Sequence, residues 1–165
     1  MTETEPATGR ARKIEPPVDV RSLATLDHVN YQDAFTIPAS AAGTDSAEQW
    51  LREVFEGAPA ALRGTLRFGW RLFGAKLGPY PSPEHVIGWQ VEASEPDWVR
   101  TGVRWGIGLR AQLVLRTLPS AVVLSTSVEK DSVASKILWP LLIPVHQPVL
   151  RFLLWRAVRA RRAAA

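Results

Sequence analysis

His146 is the residue of this sequence whose type and position most directly allow chemistry. It lies between Pro144 and Pro148 in a strongly apolar stretch. A neutral imidazole in such surroundings can bond the polar end of a ligand, or act as a general acid or base. The alternative is structural, with the ring bonded to a backbone carbonyl group that the prolines leave without a donor. Both interpretations stay open, and no residue is assigned as catalytic.

Tryptophan is the second feature, with seven Trp against two Tyr in 165 residues. Trp89 and Trp105 each occupy one of the alternating apolar positions of two neighbouring predicted strands, so both are expected to face the same side of a sheet. Indole rings there can stack against a flat ligand or simply fill a core. The other members of the predicted pocket-lining set share these alternatives. The set is Trp70, Phe73, Trp89, Trp105, Trp139 and His146.

Several other chemistries are disfavoured by residue type and spacing. The chain has no Cys, which excludes disulfides, thiolate nucleophiles and cysteine-ligated metals. Its three His residues share no helical spacing and have no paired carboxylates near them in sequence, so no metal site and no cofactor are expected. Residues 106–111 match the pattern G-x-G-x-x-A. A dinucleotide site needs a helix after those glycines, however, and residues 109–115 alternate as a strand.

Hydrophobic periodicity predicts the elements that position these residues. Residues 28–37 alternate apolar and polar and predict a strand, with Asp33 the exception on its apolar side. A helix is predicted to begin at Asp45, which forms a capping-box pattern with Glu48. A second helix is predicted over residues 59–73. Its arginines, at every fourth position, form a row that can bind anions but is more often simply solvated.

A block of strands follows over residues 87–93, 99–115 and 122–128. The middle run alternates apolar and polar, which predicts one buried and one solvent-exposed face. It is too long for one ordinary strand, and Gly106 and Gly108 are expected to mark a turn between two antiparallel strands. Because a two-residue turn would swap the parity, an odd-length loop or a bulge fits better. About five strands are expected in all.

From residue 131 the apolar period becomes that of a helix, with prolines at positions 140, 144 and 148. Interior prolines remove backbone hydrogen bonds and clash with the preceding turn, so a kinked helix or two consecutive helices are predicted. The sheet and this helix must cover each other's apolar surfaces. The predicted fold class is α+β, with a curved antiparallel sheet packed on a long kinked C-terminal helix. Two short helices are expected after the first strand.

The distribution of charge limits the partners. The net charge is +4, and the excess lies in residues 131–165, which have six basic residues and one acidic residue. This basic end is not the broad basic face with interleaved aromatics that nucleic acids need. Cations at a helix C-terminus also stabilise the helix itself. Nucleic acid is therefore not an expected partner.

The apolar C-terminal stretch also raises the question of a membrane. Residues 137–155 have about the length of a bilayer-crossing helix, but they contain His146, Gln147, Arg151 and three prolines. A charge at mid-membrane costs roughly 2.5–3.5 kcal/mol even on the insertion scale. No transmembrane span is therefore expected, whereas weak peripheral contact with a membrane through the basic end stays open.

The N-terminal residues predict neither export nor a packed element. Residues 1–27 are charged, contain prolines and lack periodicity, which predicts a disordered N-terminal arm. No secretory signal peptide is visible there, so a cytoplasmic location is expected.

Four strings of the sequence resemble a known family. They are FGWRLFG (68–74), SPEHVIGW (82–89), SVE (127–129) and ILWPLLIPVH (137–146). These strings look like actinobacterial proteins of the domain of unknown function 2867 family, within the START-like helix-grip (SRPBCC) superfamily. The resemblance implies a single START-like domain over residues 28–162, with a cavity for hydrophobic ligands between the sheet and the C-terminal helix. Larger members of the superfamily usually have seven strands.

The leading hypothesis from sequence is a binding protein for a small hydrophobic molecule. One alternative is a cyclase-like or dehydratase-like enzyme that uses His146 with an Asp, Glu or Tyr in the cavity. Another is an accessory or scaffold protein with a filled core.

Overall fold

The computed structural model describes residues 9–40 and 42–165, and it shows an α+β fold with one curved, open antiparallel sheet. The strands lie in the order β1-β2-β7-β6-β5-β4-β3. The predicted combination of an antiparallel sheet with a long C-terminal helix is confirmed. In chain order the elements are β1 (Arg12–Ile14), α1 (Val18–Arg21), β2 (Tyr31–Pro38), α2 (Ala47–Phe55), α3 (Ala60–Leu72), β3 (His85–Val86), β4 (Trp89–Glu95), β5 (Trp98–Trp105), β6 (Leu109–Leu118), β7 (Ala121–Lys130) and α4 (Val133–Ala164).

The sheet has seven strands, where the alternation predicted about five. The additional strands are the two edges of the sheet, β1 with three residues and β3 with two. Segments this short cannot show a periodic pattern, because alternation needs at least four residues to be recognised. They are defined only by their pairing with β2 and β4.

The long alternating run is two strands joined by a three-residue loop, as its parity predicted. β5 ends at Trp105 and β6 begins at Leu109, and these two residues are paired across the loop. Gly108 has a φ of +77°, a backbone conformation that glycine adopts without steric cost. A Cβ added there would lie 2.9 Å from the Cβ of Ser132. The odd loop length keeps the apolar residues of both strands on one face.

The second face of the sheet is covered, so the solvent exposure predicted for one face of the run over residues 99–115 is wrong for β6, and β7 beside it is covered as well. Most positions of both strands are buried. Gln112 of β6 shows the reason, because its side chain accepts a 2.8 Å hydrogen bond from the Thr25 backbone and donates one of 2.8 Å to the Thr25 hydroxyl. Polar residues on this face therefore bond to another segment of the chain instead of to water.

The covering segment is part of the predicted disordered arm, and that prediction is wrong for residues 9–27. β1 pairs with β2, and Val20 of α1 packs with Val114 and Val123 in a small second core. Asp19 pairs with Arg116 of β6. The charges that indicated disorder in the sequence thus find partners on the sheet. Residues 1–8 lie outside the described residues.

The helices α2 and α3 pack differently. α2 begins with a capping box formed by Ser46 and Gln49, one residue later than the predicted pair of Asp45 and Glu48. Its apolar residues are buried against the sheet and α4. In contrast, α3 buries none of its residues fully. α3 therefore packs less tightly on the sheet than α2 does.

α4 is one helix of 32 residues that continues through Pro140, Pro144 and Pro148. The alternative of two consecutive helices is wrong, whereas a bend at the prolines stays a prediction. The three prolines lie on the exposed side of the helix, where water can satisfy the carbonyl groups that lack a donor. The later turns of α4 attach it to the fold through Leu150, Leu153, Leu154, Ala157 and Val158, all buried.

Candidate functional site

A cavity of about 330 Å³ lies between the sheet, α3 and α4. The structure brings all six residues of the predicted pocket-lining set to its wall: Trp70, Phe73, Trp89, Trp105, Trp139 and His146. Most of the remaining wall is apolar and includes Phe55, Leu62, Leu66, Leu109, Leu113, Leu138, Leu142, Val145, Val149 and Leu150. Small-molecule sites have volumes of roughly 300–1,000 Å³. The cavity therefore has the size of a site for one small ligand.

Three tryptophans form one wall of the cavity through edge-to-face contacts. The ring centroids of Trp70 and Trp89 are 5.5 Å apart, and those of Trp89 and Trp105 are 5.7 Å apart. Such contacts favour one arrangement of the rings beyond the area that they bury. Since Trp89 and Trp105 lie on strands and Trp70 lies on α3, the cluster also attaches α3 to the sheet.

The polar end of the cavity is formed by His146 of α4, with Asp33 of β2 behind it. The Nε2 atom of His146 lies 3.1 Å from Oδ2 of Asp33. Asp33 is only 1% exposed, and the Tyr31 hydroxyl donates to the same carboxylate oxygen at 2.5 Å. Gln147 in turn donates to the Tyr31 hydroxyl at 3.0 Å. The other oxygen, Oδ1, is buried and has no hydrogen-bond partner within the described residues.

These contacts define what His146 can do chemically. Burial, together with the hydrogen bond to Asp33, raises the pKa of Tyr31, so Tyr31 remains a neutral donor to the carboxylate. Nε2 of His146 faces Oδ2 of Asp33, so this contact occupies one of the two ring nitrogens. Nδ1 is then the nitrogen left for a ligand, as an acceptor on the neutral ring or a donor on the protonated ring. Among the described residues, Nδ1 has no hydrogen-bond partner.

Aromatic rings hold the imidazole in place. The ring centroid of Trp139 lies 5.0 Å from that of His146 and 5.2 Å from that of Tyr31, both edge to face. His146 and Trp139 come from successive parts of α4, while Tyr31 comes from β2. The polar end is therefore positioned by the packing of α4 on β2.

Sequence reasoning named His146 but missed its partners. The sequence feature that could have indicated a partner for His146 is Asp33, the only charged residue on the apolar side of the first predicted strand. Tyr31 lies two residues earlier and therefore on the same face of the strand. Asp33 and His146, however, are 113 residues apart in the chain. No local period can reveal that contact.

Neither a metal site nor the second concavity of the molecule is a better candidate. Within residues 9–40 and 42–165, no group of three or more His, Asp or Glu side chains comes together as a metal site. A second concavity of about 340 Å³ is lined by polar and charged groups, including Lys76, Arg104 and Glu92. In that concavity, Glu92 already accepts hydrogen bonds from Arg100 and Gln112. Its carboxylate therefore belongs to a hydrogen-bond network within the protein and is not free for a ligand. The apolar cavity is therefore the candidate site.

Comparisons of the chain with protein-family models, with curated proteins and with solved structures gave no match. The resemblance to the domain of unknown function 2867 family and the START-like assignment therefore stay predictions.

Proposed function

We propose that this protein binds one small, mostly apolar molecule in the cavity between the sheet, α3 and α4. The observation that supports the proposal is the open apolar space of about 330 Å³. At about 24 cal/mol per Å³, leaving such a space empty would cost roughly 8 kcal/mol, an upper bound because water can enter at the open side. Since whole domains are stable by only about 5–15 kcal/mol, a ligand that fills the space would stabilise the fold substantially.

The polar end of the cavity supports a ligand with a hydrogen-bonding group. His146 is the one titratable residue on the wall, and the other polar side chains there are Thr65, Thr126 and the tryptophan indoles. A hydroxyl or carbonyl group on the ligand can bond the imidazole, while the rest of the molecule contacts apolar side chains. The ligand class is therefore a small hydrophobic compound with one polar substituent.

Two glycines of α3 provide a matched test. Gly69 lines the cavity and Gly64 does not, and an added Cβ meets no atom within 4 Å at either position. Replacing either glycine by Leu should raise helix stability by about 1 kcal/mol. Only Gly69→Leu also fills the cavity.

The measurement is a calorimetric titration with naphthol, which has an apolar bicycle and one hydroxyl group. The wild-type protein and Gly64→Leu are expected to bind naphthol with similar affinity. Gly69→Leu is expected to bind at least tenfold more weakly, a loss of about 1.4 kcal/mol. Equal affinity of the two variants would show that naphthol binds elsewhere and would count against the cavity as the site.

The pair of His146 and Asp33 supports a second candidate, an enzyme that acts on the bound molecule. A buried carboxylate that orients an imidazole is one arrangement in which histidine acts as a general acid or base. In a dehydratase, His146 would remove a proton from the carbon next to the C–OH group and pass it to the departing hydroxyl group. The C–O bond breaks as a C=C bond forms, and water leaves. The molecule bound to His146→Gln would then be heavier by one water than the molecule released by the wild type. Identical masses would argue for binding alone.

The alternative of an accessory protein with a filled core has no support from this region. The space among Trp89, Trp105 and His146 is open. That alternative would require these side chains to fill it.

A further inference from the structure

The outer faces of α3 and α4 expose an unusual amount of apolar surface. Among the described residues, seven of the ten exposed large hydrophobic side chains lie on these two helices. Phe68 and Leu72 of α3 are 68% and 67% exposed, and Leu141 of α4 is 69% exposed. Single exposed apolar residues are ordinary, but a contiguous patch on one side of a molecule marks an interaction surface.

This patch is continuous with the wall of the cavity. Val145 is 63% exposed and also lines the cavity, so it belongs to both surfaces. Thr65 and Gly69 of α3 also line the cavity. The surface formed by α3 and α4, here called the α3–α4 face, therefore shares residues with the wall of the cavity.

The charge of the two helices has a single sign. α3 and α4 together contain nine of the chain's 20 Lys and Arg residues and none of its 16 Asp and Glu residues. The rest of the chain consequently has a net charge of −5. Within the described residues, only Arg156 and Arg161 of these nine cations form ion pairs. The two helices that present the exposed apolar side chains thus also contain cations without an acidic partner, among them the exposed Arg71 of α3.

We infer that the α3–α4 face docks on an anionic lipid membrane. Exposed apolar side chains enter the headgroup region of a bilayer, and cations around them are attracted by anionic lipids. A second copy of the chain fits less well, because a two-fold contact would bring the same cations together on both sides. The inference depends on the exposed face and its charge, and it holds whether or not the cavity contains a ligand.

The geometry indicates that α4 lies along the membrane surface. By length and composition alone α4 could cross a bilayer, and only 22% of its most apolar stretch is buried. Its uncharged part, residues 137–150, spans about 21 Å at 1.5 Å per residue. The hydrocarbon core is about 30 Å thick. The prolines also leave carbonyl groups that need water, which the interface supplies and the hydrocarbon does not.

The test is co-sedimentation of the full chain with vesicles of phosphatidylcholine alone or of phosphatidylcholine mixed with phosphatidylglycerol. The protein is expected to bind the mixed vesicles, to be released by high salt, and to leave the phosphatidylcholine vesicles unbound. Arg71→Gln is expected to weaken binding roughly fivefold, the effect of one cation near an anionic surface.

Two matched double variants test whether vesicle binding depends on the α3–α4 face or on exposed apolar side chains anywhere on the protein. Phe68→Gln with Leu141→Gln removes two exposed side chains of the α3–α4 face and is expected to weaken vesicle binding at least tenfold. Val18→Gln with Val29→Gln removes two side chains that are 79% and 46% exposed outside this face, and it is expected to change nothing. Thermal unfolding of all variants verifies that each is folded.

Five results would overturn the inference, four of them from vesicle binding and the oligomeric state. They are no binding to the mixed vesicles, equal binding to both kinds of vesicle, unchanged binding of the Phe68→Gln and Leu141→Gln variant, or a dimer in solution that this variant disrupts. Binding to soluble polyglutamate without binding to vesicles would equally overturn it, and would assign the face to an acidic protein. The naphthol titration reports on the cavity separately, so failure of docking and failure of ligand binding are distinguishable.

Discussion

Burial of the Asp33 carboxyl group has a free-energy cost that other contacts must offset. An ionised carboxylate without partners is very costly inside a protein, so it must be paired, hydrogen-bonded or protonated. Here Tyr31 donates to Oδ2 and His146 lies 3.1 Å from the same atom. The one titratable group on the cavity wall, His146, thus also stabilises a buried acid. Structural and functional roles for His146 are therefore compatible.

Removing His146 should destabilise the fold through Asp33. His146→Leu leaves the buried carboxylate without its imidazole partner and is expected to lower the free energy of unfolding by about 3 kcal/mol. Adding Asp33→Asn removes the charge, so the double variant should recover at least half of that loss. Urea denaturation measures both effects. A His146→Leu protein as stable as wild type, within about 0.5 kcal/mol, would mean that the pair does not compensate Asp33.

Tyr31 predicts how stability changes at high pH. Its pKa lies above the ordinary value of 10.0 in the folded protein, so the folded state keeps a proton that the unfolded chain releases. The contribution of Tyr31 is therefore fully present below about pH 10 and is lost as the pH rises further, at up to about 1.4 kcal/mol per pH unit. Tyr31→Phe should lack this part of the decline when unfolding is measured by urea above pH 10. The same decline in both proteins would contradict the assignment.

At the scale of elements, the two helices after β2 have different tasks. α2 is buried and capped by Ser46 and Gln49, and it fixes α4 through the contact of Arg156 with Glu53. α3 buries nothing fully and covers the cavity. A firmly packed helix thus holds the C-terminal helix, while a loosely packed one borders the opening through which a ligand would pass.

The position of the cap on α2 can be tested by two substitutions. Ser46→Ala removes the hydroxyl that accepts from Gln49 and is expected to cost about 1 kcal/mol. Asp45→Ala removes only a partly exposed ion pair with Arg161 and is expected to cost about 0.5 kcal/mol. Thermal or urea unfolding distinguishes them. A larger loss in Asp45→Ala would restore the cap that the sequence pattern suggested.

Much of the sheet follows from the sequence, because β5, β6 and β7 are long enough for alternation to be recognised. The apolar residues stay at odd positions on both sides of the loop, and this pattern predicts an odd number of loop residues between Trp105 and Leu109. The sequence does not predict the short edge strands β1 and β3, because pairing with other strands defines them. It also does not predict that the N-terminal segment lies over Gln112, since that contact joins distant parts of the chain. The same holds for the site. Parity and aromatic type predict its apolar wall, but the contact between Asp33 and His146 exists only in the folded chain.

In the molecule as a whole, the cavity and the α3–α4 face lie on the same side of the sheet. α3 and α4 line the cavity and also contain the exposed apolar side chains and the unpaired cations. The opposite face is covered by the N-terminal segment through hydrogen bonds and ion pairs. An apolar ligand entering between α3 and α4 would therefore pass through the surface that we infer to contact lipid.

Native mass spectrometry of the protein purified without denaturation shows whether the cavity holds a ligand. We expect a one-to-one complex of the wild-type chain with a small molecule, the same complex in Gly64→Leu, and the bare chain in Gly69→Leu. A stoichiometric ligand would also raise the unfolding temperature, because it binds the folded state alone. Bare wild-type protein, or the same adduct in Gly69→Leu, would contradict the claim that the apolar cavity is a binding site.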